Sequence, residues 1–230
     1  MLSERRSMNA RIFLILYLIA SLTNVGAHVL GFFQIALYAK VLLMPLLIAY
    51  VYESTKGEVT LLILLLCGSL IFSWGGDVAL IYEGDLYFLL GMGLFLVAQA
   101  LYAYLFRKSI QLTLQWKWWY VIPVLLATTV LLSQVLPNAG TFRVPIAVYA
   151  LAISIMAIMA IARHEKVAQD SFLWVLVGAL SFVVSDSAIA WSQFVSPFPY
   201  ADAFIMLTYT AAQVMIVRGV LLQKWAPTVR

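Results

Sequence analysis

The 230-residue sequence contains little charge, one cysteine and two histidines. Charged residues make up 10% of it, whereas soluble domains contain about 25%. The single Cys67 excludes a disulfide within these residues and a cluster of thiolate metal ligands. His28 and His164 are too few for a three-histidine zinc site, and neither a P-loop nor a dinucleotide-binding glycine motif occurs. The sequence therefore predicts no metal site and no cofactor.

Apolar runs dominate what is present, since 64% of the residues are hydrophobic. Eight runs are close to the ~20 residues that cross a bilayer as a helix. They cover residues 11–30, 35–52, 59–82, 86–106, 118–136, 143–163, 172–195 and 202–222. No polar stretch is long enough to form a separate soluble core, and the net charge of +4 does not indicate a nucleic-acid partner. The sequence predicts an all-α bundle of eight transmembrane helices, forming one integral membrane domain over residues 1–230.

The basic residues predict an orientation, because cytoplasmic loops collect Lys and Arg. Of the 14 basic residues, only Lys40 and Arg143 fall on one side of an eight-helix arrangement. The others fall on the opposite side: Arg5, Arg6, Arg11, Lys56, Arg107, Lys108, Lys117, Arg163, Lys166, Arg218, Lys224 and Arg230. We therefore expect a multi-pass protein of a bacterial inner membrane with both termini in the cytoplasm.

Two of the apolar segments carry an aspartate in similar surroundings. Residues 68–77 read GSLIFSWGGD and residues 178–186 read GALSFVVSD, so Asp77 and Asp186 end matching runs. A charge within a membrane helix costs roughly 2.5–3.5 kcal/mol, which makes both residues functional candidates. A carboxyl pair with one member protonated suits general acid–base catalysis. Alternatively, Lys40 and Arg143 neutralise the two carboxylates, which then only hold helices together.

The matching runs lie on the third and seventh helices, and similar Gln-containing stretches follow on the fourth and eighth. This spacing predicts two parallel four-helix halves, residues 11–106 and 118–222. Further polar residues have predicted depths in the membrane similar to those of the aspartates, so they can line the same cavity. The candidates for substrate binding are Lys40, Ser73, Gln99, Tyr102, Arg143, Ser185, Tyr209 and Gln213. Ordinary interhelical hydrogen bonds are the alternative role for these residues. Gly75 and Gly76 permit either an irregular backbone or a close helix approach.

Five stretches together, residues 40–47, 68–77, 91–102, 178–187 and 209–213, resemble the YhhN family, whose animal members are the TMEM86 lysoplasmalogenases. The resemblance implies hydrolysis of the vinyl-ether bond of a lysophospholipid, the lysoplasmalogen, to a fatty aldehyde and a glycerophospho-alcohol. One of Asp77 and Asp186 would be the acid and the other the stabiliser and base, with no cofactor. The lipid would enter between helices, with its head group near Lys40 or Arg143. Many family members carry His where this sequence has Gln99.

Other functions fit the same residues. Paired aspartates in a repeated helical bundle also suit a proton-coupled transporter or a lipid-binding membrane protein without hydrolase activity. A non-catalytic scaffold and an enzyme acting on another lysolipid are further alternatives. Membrane lipids are expected neighbours in each case, and the sequence does not indicate an oligomeric state.

Overall fold

A computed structural model describes residues 2–110 and 118–223, with the backbone alone for residues 2–7. Every secondary-structure element in this part of the chain is an α-helix or a 3-10 helix, so the predicted all-α fold class is confirmed. Among the residues used to predict the orientation, the Arg5, Arg6, Lys117, Lys224 and Arg230 side chains lie outside the described residues.

The described chain forms eight α-helices, each long and apolar enough to cross a membrane. They are α1 (Leu2–Leu30), α2 (Phe33–Thr55), α3 (Leu61–Ala79), α4 (Asp85–Lys108), α5 (Trp118–Val135), α6 (Arg143–Ile161), α7 (Gln169–Phe194) and α8 (Ala201–Leu221). Two short 3-10 turns, Leu136–Asn138 and Gly140–Phe142, connect α5 to α6. Apart from the earlier start of α1, the helix ends lie within about three residues of the predicted segments, and the predicted eight-helix membrane protein is confirmed.

Seven of the helices form a closed ring in the order α1, α2, α3, α4, α6, α7 and α8, with each helix packed on its neighbours and α8 returning to α1. Helix α5 lies outside this ring, mainly against α6 and α7. It is the least buried of the candidate membrane spans, with 11% of its span inside the protein. Large apolar side chains such as Leu22, Leu86 and Val144 face outward, as expected for contact with lipid.

Aromatic side chains fill the centre of the ring. Phe95 of α4, Phe182 of α7 and Tyr209 of α8 meet edge to face, with ring centroids 5.5–6.4 Å apart. Such pairs contribute about 0.5–1.5 kcal/mol each beyond their buried area. A Cβ atom at Gly76 would lie 2.6 Å from the Phe95 ring. Because α3 runs unbroken through Gly75 and Gly76, these glycines serve close helix approach and not an irregular backbone.

Arg163, just after α6, fixes which helix ends share one face of the bundle. Its buried guanidinium donates to the Ser109 Oγ (2.9 Å), Ser171 Oγ (2.8 Å) and Gln223 Oε1 (3.0 Å). Burial lowers the pKa of the Arg163 guanidinium to about 9. The side chain is therefore a buried connector, although the sequence groups it with loop cations. These bonds place the ends of α4, α6 and α8 beside the start of α7.

Candidate functional site

Asp77 lies in the ring interior near the end of α3, where it is 2% exposed. The Tyr209 hydroxyl of α8 donates to Asp77 Oδ2 at 2.7 Å. The Lys40 Nζ of α2 is 3.6 Å from Asp77 Oδ1, and the Lys40 side chain is itself mostly buried. We call Asp77, Lys40 and Tyr209 the Asp77 group. Its carboxylate is compensated by a cation from the preceding helix.

Asp186 of α7 has different neighbours. The Tyr149 hydroxyl of α6 donates to Asp186 Oδ2. Gln99 of α4 lies beside both Asp186 and Tyr149, yet neither its amide oxygen nor its nitrogen meets hydrogen-bond geometry with any described residue. We call Asp186, Tyr149 and Gln99 the Asp186 group. It holds a buried amide next to a carboxyl group whose direct partner is a phenol.

The two groups lie close together in the ring interior. Asp77 and Asp186 are near enough for their charges to interact. Tyr209 of the Asp77 group packs against Phe95 at 5.9 Å between ring centroids, and Phe95 also borders the space beside Asp186.

A cavity of about 70 Å³ lies beside Asp186. Its walls come from the end of α3, the first half of α4, the start of α6 and the end of α7. They are formed by Leu80, Phe88, Met92, Phe95, Ile146, Tyr149, Asp186, Ile189, Ala190 and Phe194. Asp186 contributes the carboxyl group of this wall, and Asp77 is not part of it. The volume suffices for a few water-sized groups, so Asp186, unlike Asp77, borders space that a small ligand could fill.

Several other predicted site residues hold helices together. The Tyr102 hydroxyl donates to Gln213 Oε1 at 2.5 Å, which joins α4 to α8. The Ser185 Oγ donates to the carbonyl of Ile205 at 3.1 Å, which joins α7 to α8. Ser73 is fully buried, and its hydroxyl has no hydrogen-bond partner in the described part of the chain. The bonds of Tyr102, Gln213 and Ser185 are the interhelical kind that the sequence leaves as the alternative.

Arg143 is not brought to either carboxylate group. It is exposed at the start of α6, where its Nε donates to the carbonyl of Leu136 at 2.9 Å and its Nη2 to the carbonyl of Pro137 at 3.1 Å. These bonds close the turn between α5 and α6. The helix-holding alternative requires Arg143 to neutralise one of the carboxylates, and Arg143 does not do so. Lys40 does pair with Asp77.

Tyr149 is the site residue that the sequence reasoning misses. It lies on α6, one of the more apolar helices, among Val, Ala, Ile and Met. A tyrosine in such a helix needs a partner for its hydroxyl once it is buried. That requirement could have suggested a bond to an aspartate on a neighbouring helix, although the sequence does not reveal which aspartate.

The fold and the site define a class: a multi-pass helical membrane protein with two carboxyl groups inside its helix ring. The model of the YhhN family matches residues 35–220, and the chain belongs to the YhhN family. All six residues of the Asp77 and Asp186 groups fall within the matched region.

Curated relatives are similar to this chain over most of its length. The chain is 36% identical over 160 residues to lysoplasmalogenase TMEM86A of Bos taurus, which covers 64% of this chain. It is 35% identical over 154 residues to lysoplasmalogenase TMEM86B of Homo sapiens, which covers 66% of this chain. In both cases the match spans 61% of the relative, so this chain spans about three fifths of the length of these relatives. No solved structure matches the chain.

Proposed function

We propose that the protein is a membrane hydrolase that cleaves the vinyl-ether bond of lysoplasmalogen, or of a related lysolipid, to a fatty aldehyde and a glycerophospho-alcohol. The observation that carries the proposal is the position of Asp186 in the wall of an apolar cavity with a second carboxylate behind it. The relatives named lysoplasmalogenase supply the choice of substrate class.

The surroundings of the two carboxyl groups suit different protonation states. The described side chains that contact Asp186 are a phenol and an amide, and an uncompensated charge in such a site is costly. We assign the proton to Asp186 for this reason. Asp77 lies beside the Lys40 cation and accepts a bond from Tyr209, so it is assigned as the anion. One acid and one base in adjoining sites is the arrangement that acid–base catalysis requires.

The first step transfers the Asp186 proton to the vinyl carbon remote from the ether oxygen. The π electrons form the new C–H bond, and the carbon attached to oxygen becomes an oxocarbenium ion. The Asp186 carboxylate now faces this cation, and the Asp77 anion behind it adds a favourable field in a low-dielectric interior. Both effects lower the energy of the charged intermediate relative to the neutral ether.

Water then adds to the oxocarbenium carbon and gives one proton to Asp186, which restores the acid. The resulting hemiacetal collapses: its hydroxyl forms the aldehyde C=O, the bond to the glycerol oxygen breaks, and that oxygen receives the hydroxyl proton. The sum of these steps consumes one water molecule and yields an aldehyde and an alcohol. We assign Gln99, whose amide lies beside Asp186, to orient this water.

The test is aldehyde release from a lysoplasmalogen by the purified protein in detergent. We expect turnover by the wild type, a loss of about a hundredfold or more for Asp186→Asn, and a smaller loss for Asp77→Asn. Asp170→Asn, an exposed carboxylate at the start of the same helix, is the control and should keep full activity. A proton-coupled transporter would instead need a sealed membrane and release no aldehyde. Full activity of Asp186→Asn would refute the mechanism.

A further inference from the structure

The position of α5 outside the ring leaves a groove of about 480 Å³ between α5, α6 and α7. The α5 wall extends from Trp119 through Pro123 and Ala127 to Leu131, a distance of about 18 Å along the helix at 1.5 Å per residue. Ala157 of α6 and Leu180 of α7 contribute to the opposite wall. The groove therefore runs parallel to the helices, along the side of the bundle.

A smaller cavity of about 50 Å³ connects this groove to the Asp186 group. It shares Leu131, Ala150 and Val183 with the groove. It shares Tyr149 and Asp186 with the cavity described above. The three cavities therefore adjoin one another in a row that extends from the Asp186 carboxyl group to the Trp119 end of α5.

The walls of the groove offer almost nothing to a polar ligand. Its two mid-groove hydroxyls, Thr128 and Ser154, lie 2.8 Å apart, and each also lies within hydrogen-bond distance of a helix carbonyl, so both hydroxyl protons have acceptors inside the protein. A polar ligand would lose its hydrogen bonds to water there without replacement, whereas a hydrocarbon loses none. The length of the groove is about half the ~30 Å hydrocarbon core of a bilayer, which is the share of one lipid chain in one leaflet.

We propose that this groove binds the hydrocarbon chain of a single-chain lysolipid, with its first carbons at Asp186 and its end near Trp119. The inference rests on the proposed function, and it adds the way the substrate is held. The vinyl carbons are the first carbons of such a chain, so a chain lying in the groove presents the reacting atoms to Asp186. The groove therefore selects the substrate by chain length.

The test uses a substitution that narrows the groove and leaves Asp77 and Asp186 unchanged. Ala127→Phe puts a ring into the groove, and Leu126→Phe puts the same ring on the adjacent residue, which is 60% exposed and not part of the wall. Two properties are measured with short-chain and long-chain lipids. One is kcat/KM for lysoplasmalogens, and the other is the rise in Tm caused by saturated ether analogues that cannot be cleaved.

We expect Ala127→Phe to lower the long-chain to short-chain ratio of kcat/KM about tenfold, with a matching loss of the Tm rise for the long-chain analogue. Leu126→Phe should change neither the kcat/KM ratio nor the Tm rise for the long-chain analogue. If Ala127→Phe releases aldehyde with the wild-type kcat/KM ratio and Tm rise, chain binding in the groove is refuted and the hydrolase proposal stands. A chain-length-dependent Tm rise that Ala127→Phe removes, with no aldehyde from any lipid, would support the groove and refute the hydrolase.

Discussion

At the scale of single residues, the two membrane carboxyl groups differ in what lies next to them. Asp77 has a lysine 3.6 Å away and a tyrosine hydroxyl at 2.7 Å. Asp186 has the Tyr149 hydroxyl and the amide of Gln99. A cation beside one carboxylate and neutral groups beside the other separate the two chemically, although the sequence around them is nearly the same. The chemical difference between the two carboxyl groups therefore resides in their neighbours, which come from other helices.

The Lys40–Asp77 pair gives the first prediction. Lys40→Met should lower the free energy of unfolding by about 3–5 kcal/mol, because it leaves the Asp77 charge buried without compensation. The double variant Lys40→Met with Asp77→Asn should recover most of this loss. Unfolding of the purified variants in detergent measures both changes.

Lys108→Met removes an exposed cation at the end of α4 and serves as the control for Lys40→Met. The Lys108 ammonium lies over the exposed Tyr104 ring, 5.3 Å from the centroid, so its loss should change stability by no more than about 1 kcal/mol. If Lys40→Met is as stable as this control, Lys40 does not compensate a buried charge.

Tyr149 gives a second prediction that separates catalysis from stability. Tyr149→Phe and Tyr102→Phe each remove one buried hydroxyl that donates a hydrogen bond, to Asp186 and to Gln213 respectively. Both variants should lose about 1 kcal/mol of stability. Only Tyr149→Phe should lower kcat/KM for aldehyde release, by about tenfold or more, because only Tyr149 contacts the proposed acid. Equal kinetic effects of the two variants would argue against a special role for Tyr149.

At the scale of elements, α7 and α8 pack against each other more extensively than any other pair of helices in the described part of the chain. A Cβ atom at Gly178 would lie 2.9 Å from the Ala212 carbonyl oxygen and 2.9 Å from the Ile216 backbone nitrogen. Small residues permit such approach, and van der Waals packing drives helix association in a membrane. The carboxyl group of Asp186 is placed by this helix pair, since α7 can lie so close to α8 only with glycine at Gly178.

The third prediction compares two glycines in helix interiors. Gly178→Ala should destabilise the protein by about 1–3 kcal/mol, because the new methyl group meets backbone atoms that cannot move away alone. Gly93→Ala, where a Cβ atom would have no contact within 4 Å, should stabilise α4 by about 0.5–1 kcal/mol. Thermal unfolding of the two variants in the same detergent measures the contrast. A stable Gly178→Ala variant would mean that α7 and α8 have room to separate.

The elements and the site differ in how far the sequence predicts them. Runs of apolar residues about 20 long locate the helices to within a few residues, because each helix must cross the same hydrocarbon thickness. The exclusion of α5 from the ring is not predictable in this way. Lipid chains are as apolar as leucine, so hydrophobicity does not decide which helices become neighbours. For the same reason the sequence identifies Asp186 but not Tyr149, which contacts it from α6.

At the scale of the whole molecule, the two carboxyl groups occupy corresponding places in the ring. Asp77 on α3 is contacted from α2 and α8, and Asp186 on α7 is contacted from α6 and α4. A shift of four helices converts one set of neighbours into the other, as the predicted parallel repeat requires. The repeat stays a prediction for the whole chain, since α5 and α1 are placed differently. At the site, the two carboxyl groups are thus surrounded by corresponding helices that carry different polar side chains.

The placement of the basic residues in the bundle leads to the last prediction. Arg11, Lys56 and Arg218 border one cavity where α1 begins and where α2 and α8 end, whereas Arg143 lies at the start of α6. Lys and Arg collect on the cytoplasmic side, so we expect the Lys56 end to face the cytoplasm. In a Cys67→Ser background, a membrane-impermeant thiol reagent should label Asn138→Cys in intact spheroplasts but label Glu58→Cys only after lysis. Both positions are exposed at opposite ends of the bundle, so the reverse labelling pattern would invert the topology.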